Sequence, residues 1–188
     1  MAQPPVQYIQ PQDYLVMERE ATDRHEYYKG EVFAMSGASY NHNVIEDNIR
    51  LLIGSHLKGK KCRSFGSNLR VHIPANTLYT YPDVLIVCEE PKFVDDVFDT
   101  LLNPSVLIEI LSPSTANYDR GGKWDLYREI ESLKEYILID SMSTHLVRYT
   151  KNNDSTWTLS EKKSKEQSFL IKTIDLQLSL ADVYEGVQ

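Results

Sequence analysis

The stretch Tyr81-Pro82-Asp83-Val84-Leu85-Ile86-Val87-Cys88 and the later stretch Ser105-Val106-Leu107-Ile108-Glu109-Ile110-Leu111 decide the fold. Both are apolar at successive positions, which is typical of strands that are buried on both faces of a sheet. Each carries one carboxylate, Asp83 at the start of the first strand and Glu109 inside the second. Because a buried carboxylate is unfavourable unless it is paired or bound to a metal, the two strands also mark a candidate site.

Further helices and strands flank these two segments. Residues 39–57 predict a helix, because apolar residues recur there every three or four positions. These residues are Ile45, Ile49, Leu52, Ile53 and Leu57. Residues 63–73 predict another strand, residues 117–130 a second helix and residues 135–140 a fourth strand. The order is helix, three strands, helix, strand, which favours an α/β (α+β) fold with one mixed sheet and helices on its faces.

Shorter elements surround this core, which covers about residues 39–140. Residues 11–20 predict an N-terminal helix, and residues 25–35 predict a β-hairpin that turns at Lys29-Gly30. Residues 143–188 predict a C-terminal extension of antiparallel strands. The length of 188 residues fits a single domain, since domains of roughly 100–200 residues are usual.

The composition is that of an ordinary globular protein, with 41% hydrophobic and 25% charged residues. A net charge of −7 excludes a uniformly basic, histone-like nucleic-acid binder but not a local basic surface. We see no signal peptide and no apolar run that could span a membrane, so we expect a cytoplasmic protein. The chain has two cysteines, Cys62 and Cys88, which is too few for a fold held together by disulfides. We therefore expect two reduced, buried thiols.

Positive charge is concentrated in one segment of the chain. Residues 48–82 contain six basic residues and no aspartate or glutamate, so this segment sums to +6 and the remainder carries −13. Such a segment predicts a surface for a nucleic-acid backbone, although the dipole of a helix end explains its cations equally well. The candidates for this surface are Lys58, Lys60, Lys61 and Arg63.

The two buried acids have two explanations. In the first, Asp83 caps a strand and Glu109 pairs with a lysine or arginine. In the second, they converge at one end of the sheet, where neighbouring carboxylates repel each other unless a cation lies between them. Oxygen ligands of this kind suit Mg²⁺ or Mn²⁺. A metal so held can polarise a phosphodiester and activate a water molecule.

Several segments resemble the PD-(D/E)XK nuclease superfamily and, more narrowly, its Uma-type family of restriction-endonuclease-like proteins. The most specific are Tyr81-Pro-Asp-Val-Leu-Ile86 together with Glu109-Ile-Leu-Ser-Pro-Ser-Thr115 and Ser112-Pro-Ser-Thr-Ala-Asn-Tyr-Asp-Arg-Gly-Gly-Lys123. The segments His25-Glu-Tyr-Tyr-Lys-Gly-Glu-Val32 and Ser39-Tyr-Asn-His-Asn43 support them. The resemblance covers nearly the whole chain and implies a restriction-endonuclease-like core, which agrees with the order of elements inferred above.

The resemblance implies roles for particular residues. Asp83 and Glu109 would ligate the metal, with the backbone carbonyl of Ile110 as a further ligand. The superfamily pattern has a lysine two residues after the glutamate, where this chain has Leu111. We therefore expect Lys123, on the following helix, to supply the ammonium group that orients the attacking water and stabilises developing negative charge.

Four further residues have alternative roles. The upstream acid of the motif is Glu31 or Glu26, on opposite strands of the predicted hairpin, and Glu31 fits the family's Gly-Glu step better. His42 is a candidate for phosphate contact or acid–base chemistry, or it completes a hydrogen-bond network at the start of the helix. Arg120 contacts a phosphate or forms a surface ion pair.

The resemblance implies a metal-dependent endonuclease that hydrolyses phosphodiester bonds in DNA, with Mg²⁺ or Mn²⁺ as cofactor. Nucleases with this fold often pair to cut two strands, which by analogy implies a homodimer. The displaced lysine keeps open a catalytically inactive module of the same fold that binds nucleic acid or protein. A third alternative is an interaction protein whose buried acids pair with Lys123 and Arg120.

Overall fold

The computed structural model describes residues 8–188, and no helix among them is both long and apolar enough to cross a membrane. The helices are α1 (Pro11–Glu20), α2 (Tyr40–Leu57), α3 (Ala116–Tyr118), α4 (Trp124–Tyr127) and α5 (Leu180–Val183). The strands are β1 (His25–Tyr28), β2 (Glu31–Ala34), β3 (Arg63–Gly66), β4 (Arg70–Ile73), β5 (Leu78–Thr80), β6 (Val84–Val87), β7 (Thr100–Leu101), β8 (Val106–Leu111), β9 (Glu135–Asp140), β10 (Leu146–Lys151), β11 (Trp157–Lys162), β12 (Ser168–Ile171) and β13 (Leu176–Ser179). A π-helical turn (Asp119–Lys123) joins α3 to α4, and a 3₁₀ turn (Lys172–Ile174) precedes β13.

A six-stranded mixed sheet forms the main core, in the order β11-β10-β9-β8-β6-β3. Strands β8 and β9 are parallel, so a crossover must join them, whereas their other neighbours pair antiparallel. Helix α2 packs on one face through Ile45, Ile49 and Ile53, each 0% exposed. The predicted mixed α+β core is therefore confirmed.

A second sheet, in the order β2-β1-β5-β4-β7, corrects one prediction. The single strand expected at residues 63–73 is two strands, β3 in the main sheet and β4 in the second sheet. The chain turns between them, where the Leu69 amide donates to the Gly66 carbonyl at 3.3 Å. Alternating apolar residues indicate a strand but not the sheet to which it belongs, so the pattern did not reveal the break.

The crossover from β8 to β9 is less regular than the predicted helix at residues 117–130. Its helical part consists of α3, the π-helical turn and α4 in succession and ends at Tyr127. The π-helical turn buries Asp119 and Lys123, two charged residues four positions apart. Such turns occur frequently at functional sites, because the wider turn redirects side chains that a regular helix would hold elsewhere.

The predicted N-terminal hairpin forms as expected, with β1 and β2 antiparallel. Lys29 has a φ of 48° and Gly30 a φ of 90°, so both central residues of the turn are left-handed. A two-residue hairpin turn of this kind matches the twist of the strands, and glycine adopts the required φ without steric cost.

Cys62 and Cys88 form a disulfide, which corrects the expectation of two reduced thiols. In the pair of β3 with β6, Arg63 lies opposite Val87. Cys62 immediately precedes Arg63 and Cys88 immediately follows Val87, so the antiparallel register places the two cysteines opposite each other, with Cα atoms 4.1 Å apart. Their proximity depends on the strand register, and a count of cysteines contains no information about register.

Helix α2 provides a test of the main core. We predict that Ile49→Ala lowers the free energy of unfolding by about 2–5 kcal/mol, since it removes a side chain that is wholly buried. The control is Leu51→Ala on the same helix, where the side chain is 70% exposed. We expect that control to change stability by less than about 0.5 kcal/mol. Urea unfolding followed by circular dichroism measures both, and equal losses would contradict this role for α2.

Candidate active site

One cavity of about 400 Å³ collects most of the candidate catalytic and metal-ligating residues. It lies where the N-terminal end of α2, the start of β6, the end of β8, strand β1 and the π-helical turn meet. The carboxylates that line it are Glu26, Glu46, Asp83, Glu109 and Asp119. The basic side chains that line it are Arg24, His42 and Lys123.

Asp83 is held at the start of β6 by the backbone of the neighbouring strand. Its Oδ2 accepts a hydrogen bond from the Ile110 amide at 2.7 Å, and its own amide lies 3.4 Å from Glu109 Oε2. The N–H and C=O of one strand residue point the same way, so the Ile110 carbonyl faces the same edge. The structure thus brings together Asp83, Glu109 and Ile110, the three groups that the resemblance assigns to the metal.

Tyr81 anchors the segment that leads to Asp83. Its hydroxyl donates to Glu18 at 2.8 Å and accepts from Arg70 at 2.8 Å. Burial, reinforced by Glu18 and partly opposed by Arg70, raises the pKa of Tyr81 to about 12. The phenol therefore stays neutral at physiological pH and keeps donating, which fixes the backbone just before Asp83.

The ammonium group of Lys123 is buried among three carboxylates. Its Nζ lies 3.0 Å from Glu26 Oε1, 3.1 Å from Glu109 Oε1 and 3.5 Å from Asp119 Oδ1. Tyr127 donates to the same Oε1 of Glu109 at 2.7 Å. One oxygen of Glu109 is therefore held by two protein groups, while the other faces the start of β6.

Burial and charge shift the pKa values within this cluster in opposite directions. Burial raises the pKa of the Glu109 carboxyl, and the ammonium of Lys123 opposes that rise. The same two effects act on Asp119, whose pKa is also raised. Burial alone would lower the pKa of Lys123, but the neighbouring carboxylates, Glu109 first, outweigh it and raise the pKa well above its ordinary value. Lys123 is therefore charged at physiological pH.

Two side chains of α2 extend the site towards Asp83. His42 and Glu46 stand one helical turn apart, and with Asp83 they offer three ligand atoms within 4.8 Å of one another. The Ser39 hydroxyl caps the helix by accepting from the His42 amide, which fixes this first turn at the cavity. Sequence reasoning missed Glu46. Its i, i+4 spacing from His42 is visible in the sequence, but the packing of α2 beside Asp83 is not.

The two hairpin acids lie in different places. Glu26 on β1 lines the cavity and bonds to Lys123 and to the Thr80 hydroxyl. Glu31, ranked first by the resemblance, is exposed beside the hairpin turn and is not among the described residues that line the cavity. The reason is the hairpin register, which pairs Glu31 with Tyr28 at the turn and leaves the far ends of β1 and β2 at the cavity. We therefore leave Glu31 out of the candidate site.

The predicted basic surface lies away from the cavity. Its four residues follow the C-terminal end of α2, whereas the cavity lies at the N-terminal end. A helix rises about 1.5 Å per residue, so the two ends of α2 are roughly 26 Å apart. Arg120 is likewise not one of the described residues that line the cavity, and it forms an ion pair with Asp140 at 3.1 Å. Of the predicted nucleic-acid contacts, His42 lies in the cavity, and Arg24, which was not predicted, lies there too.

The donor set of the cavity fits a divalent cation. Its five carboxylates and two permanently cationic side chains sum to a formal charge of −3 with His42 neutral. Burial and repulsion by Asp83 raise the pKa of the Glu46 carboxyl, although the Arg50 guanidinium lies 3.6 Å from Glu46 and opposes that rise. Carboxylate and carbonyl oxygens are the ligands that Mg²⁺ and Mn²⁺ prefer.

The mixed sheet and this acidic cavity at its edge define a restriction-endonuclease-like protein. A family model described as "Uma2: Putative restriction endonuclease" matches residues 11–181. The chain therefore belongs to the Uma2 family, as the motifs around Asp83 and Glu109 implied.

Relatives and a solved structure support this assignment. The uncharacterized protein slr1290 of Synechocystis sp. is 35% identical over 179 residues, covering 95% of this chain and 93% of that protein. The uncharacterized protein sll1609 of the same organism is 38% identical over 149 residues, covering 79% and 84%. A crystal structure of a "putative nuclease belonging to DUF820" from Anabaena variabilis has a TM-score of 0.78 at 18% identity, covering 96% of this chain and 99% of that one. That structure confirms the predicted fold.

Lys123 provides a test of the buried ion cluster. We predict that Lys123→Met lowers the free energy of unfolding at pH 8 by about 3–5 kcal/mol, because it leaves buried carboxylates without a counter-charge. Without the ammonium, the folded-state pKa values of Glu109 and Asp119 rise further. The folded variant then binds more protons than its unfolded chain above the ordinary carboxyl pKa of about 4, so its stability falls as pH rises. Urea unfolding at pH 5 and pH 8 should show the larger loss at pH 8.

The control for this measurement is Lys134→Met, since Lys134 is exposed. We expect it to change stability by less than about 0.5 kcal/mol at either pH. The free energy of unfolding that Lys123→Met loses, relative to the unchanged protein, is compared at pH 5 and pH 8. An equal loss at both pH values would show that Lys123 contributes packing rather than charge.

Proposed function

We propose that this protein is a metal-dependent endonuclease that hydrolyses phosphodiester bonds in DNA, with Mg²⁺ or Mn²⁺ as its cofactor. The observation that carries the proposal is the convergence of Asp83, Glu109 and Lys123 on one cavity from three separate segments of the chain. The resemblance assigns these same residues to the metal and to the attacking water. Membership of the Uma2 family supports a nuclease activity.

The metal would be held by Asp83, Glu46, the Ile110 carbonyl and Oε2 of Glu109, the oxygen that Lys123 and Tyr127 do not contact. When bound, such a cation lowers the pKa of a water ligand and offsets the negative charge of the phosphate. Asp83 is already fixed by the Ile110 amide, and one oxygen of Glu109 by Lys123 and Tyr127. Ligands held in advance by the protein need little reorganisation when charge develops.

Lys123 would stabilise the negative charge that develops on the phosphate. Its ammonium lies 3.1 Å from Glu109, so it stands beside the carboxylate that the motif's lysine normally follows. Leu111, in the usual lysine position, packs instead in an apolar cluster with Tyr127. On this proposal Lys123, in the π-helical turn of the crossover, supplies the charge that the chain lacks at Leu111.

The rim of the cavity supports a nucleic-acid substrate. Arg24 lines it and offers a phosphate contact. Phe33 and Tyr118 also line it and are 47% and 42% exposed, and exposed aromatic faces can stack on bases. Because the lining carries a formal charge of −3, a polyanion is expected to approach only when a bound cation offsets that charge.

One observation favours a second function, a nuclease-fold module that binds nucleic acid or protein without cutting. Lys123 and Tyr127 already satisfy one oxygen of Glu109, and Lys123 also pairs with Glu26. An acid that is compensated by protein groups has less need of a cation. The cleavage experiment below separates the two functions.

Cleavage of plasmid and single-stranded DNA with millimolar MgCl₂ or MnCl₂ tests the proposal. We predict that Asp83→Asn and Glu109→Gln each lower the cleavage rate by at least about 100-fold, because each removes a charge from the metal site. Asp125→Asn is the control, since Asp125 is 65% exposed and pairs with Arg128 on the surface, and it should cleave like the unchanged protein.

Circular dichroism and thermal unfolding must show that the variants remain folded. Cleavage that survives Asp83→Asn would remove Asp83 from the mechanism. Absence of cleavage by the unchanged protein with either metal, together with retained DNA binding, would establish the non-cutting module. Loss of cleavage in Glu31→Gln would return Glu31 to the site.

The proposal includes a cytoplasmic location and a homodimer, the dimer by analogy with nucleases that pair to cut two strands. Multi-angle light scattering across a range of protein concentrations, with and without DNA, should give the mass of two chains of 21.7 kDa. A mass of one chain under all of these conditions would contradict the dimer while leaving the chemistry of the site untouched.

A further inference from the structure

A histidine and two carboxylates converge on the α2 side of the cavity. His42 Nε2 lies 3.2 Å from Asp83 Oδ2, and Glu46 completes a set of ligand atoms within 4.8 Å. Two adjacent ligands on one metal ion, with bonds of about 2.1 Å at right angles, are about 3.0 Å apart, and opposite ligands about 4.2 Å. The present separations therefore need only small side-chain rotations to meet one ion.

The imidazole of His42 is buried, with 8% of the residue exposed. Its Nδ1 has no hydrogen-bond partner among residues 8–188. Buried polar atoms in proteins are normally satisfied, so this imidazole lacks the second hydrogen bond that usually fixes the tautomer of a histidine. The other ring nitrogen, Nε2, lies 3.2 Å from Asp83 Oδ2 and is the atom that would ligate an ion.

Imidazole nitrogen distinguishes among divalent cations. Mg²⁺ is a hard ion that is bound almost wholly through oxygen, whereas transition-metal ions accept imidazole readily. A site built only from Asp83, Glu109 and backbone oxygen would not discriminate in this way. His42 would make the site discriminate between these ions, because it adds a nitrogen ligand to the oxygen ligands.

We propose that His42 is a metal ligand and that, together with Glu46 and Asp83, it makes the site select a transition-metal dication such as Mn²⁺ over Mg²⁺. This inference rests on the metal site of the proposed function and narrows its cofactor. The competing explanation is a metal-independent ion pair of His42 with Asp83, in which the ring only positions the carboxylate.

Pulsed electron paramagnetic resonance on the untagged protein with bound Mn²⁺ tests the inference directly. Electron spin-echo modulation reports nitrogen nuclei that ligate the ion, and it requires neither DNA nor turnover. We expect a ¹⁴N coupling in the unchanged protein, its loss in His42→Gln, and its retention in His56→Gln. His56 is a matched control, because it lies at the other end of α2 and bonds to the Ile174 carbonyl at 2.9 Å.

Isothermal titration of each variant with MnCl₂ and MgCl₂ gives the selectivity. We expect His42→Gln to lower Mn²⁺ affinity by about 10–100-fold and Mg²⁺ affinity by less than about threefold. Mn²⁺ bound to the unchanged protein without a nitrogen coupling would overturn the inference, whether or not the variant folds. In that case, DNA cleavage that still depends on metal would leave the proposed function standing. Absence of Mn²⁺ and Mg²⁺ binding together with absence of cleavage would overturn both.

Discussion

The buried ammonium of Lys123 is the interaction on which the arrangement of the cavity depends. Glu26 comes from β1 in the second sheet, Glu109 from β8 in the main sheet and Asp119 from the crossover. Carboxylates this close and this buried would repel one another without a cation between them. One side chain therefore joins three parts of the fold at the same point and sets the spacing of the acids. Stability and site geometry share this interaction, so a change at Lys123 is expected to alter both.

The sequence predicted the elements that local pattern determines. The apolar spacing of Ile45, Ile49 and Ile53 specified α2, and the predominantly apolar runs specified β6 and β8. Asp83 and Glu109 were found because a carboxylate inside such a run conflicts with its surroundings. Lys123 was found through the motif alone, since an isolated lysine on a helix is usually a solvated residue.

The remainder depends on contacts between segments that are distant in the chain. Nothing in the local sequence distinguishes Glu46 from Glu31 as a site residue. The packing of α2 brings Glu46 to the cavity, and the register of the hairpin keeps Glu31 away from it. The break after Gly66 was not predicted for the same reason. The sequence pattern of residues 63–73 fits one continuous strand, although β3 and β4 belong to different sheets. Cys62 and Cys88 became partners only through the register of β3 with β6.

That disulfide closes a covalent ring around an excursion of the chain. Between Cys62 and Cys88, which are 26 positions apart, the chain leaves the main sheet, forms β4 and β5 in the second sheet and returns as β6. A protease that cuts the turn at Asn76-Thr77 would therefore produce two fragments that stay joined through sulfur. They would migrate together in a denaturing gel until a reductant was added. The strand that leads from Asp83 would remain linked to α2 and β3 even though the peptide chain between them was open.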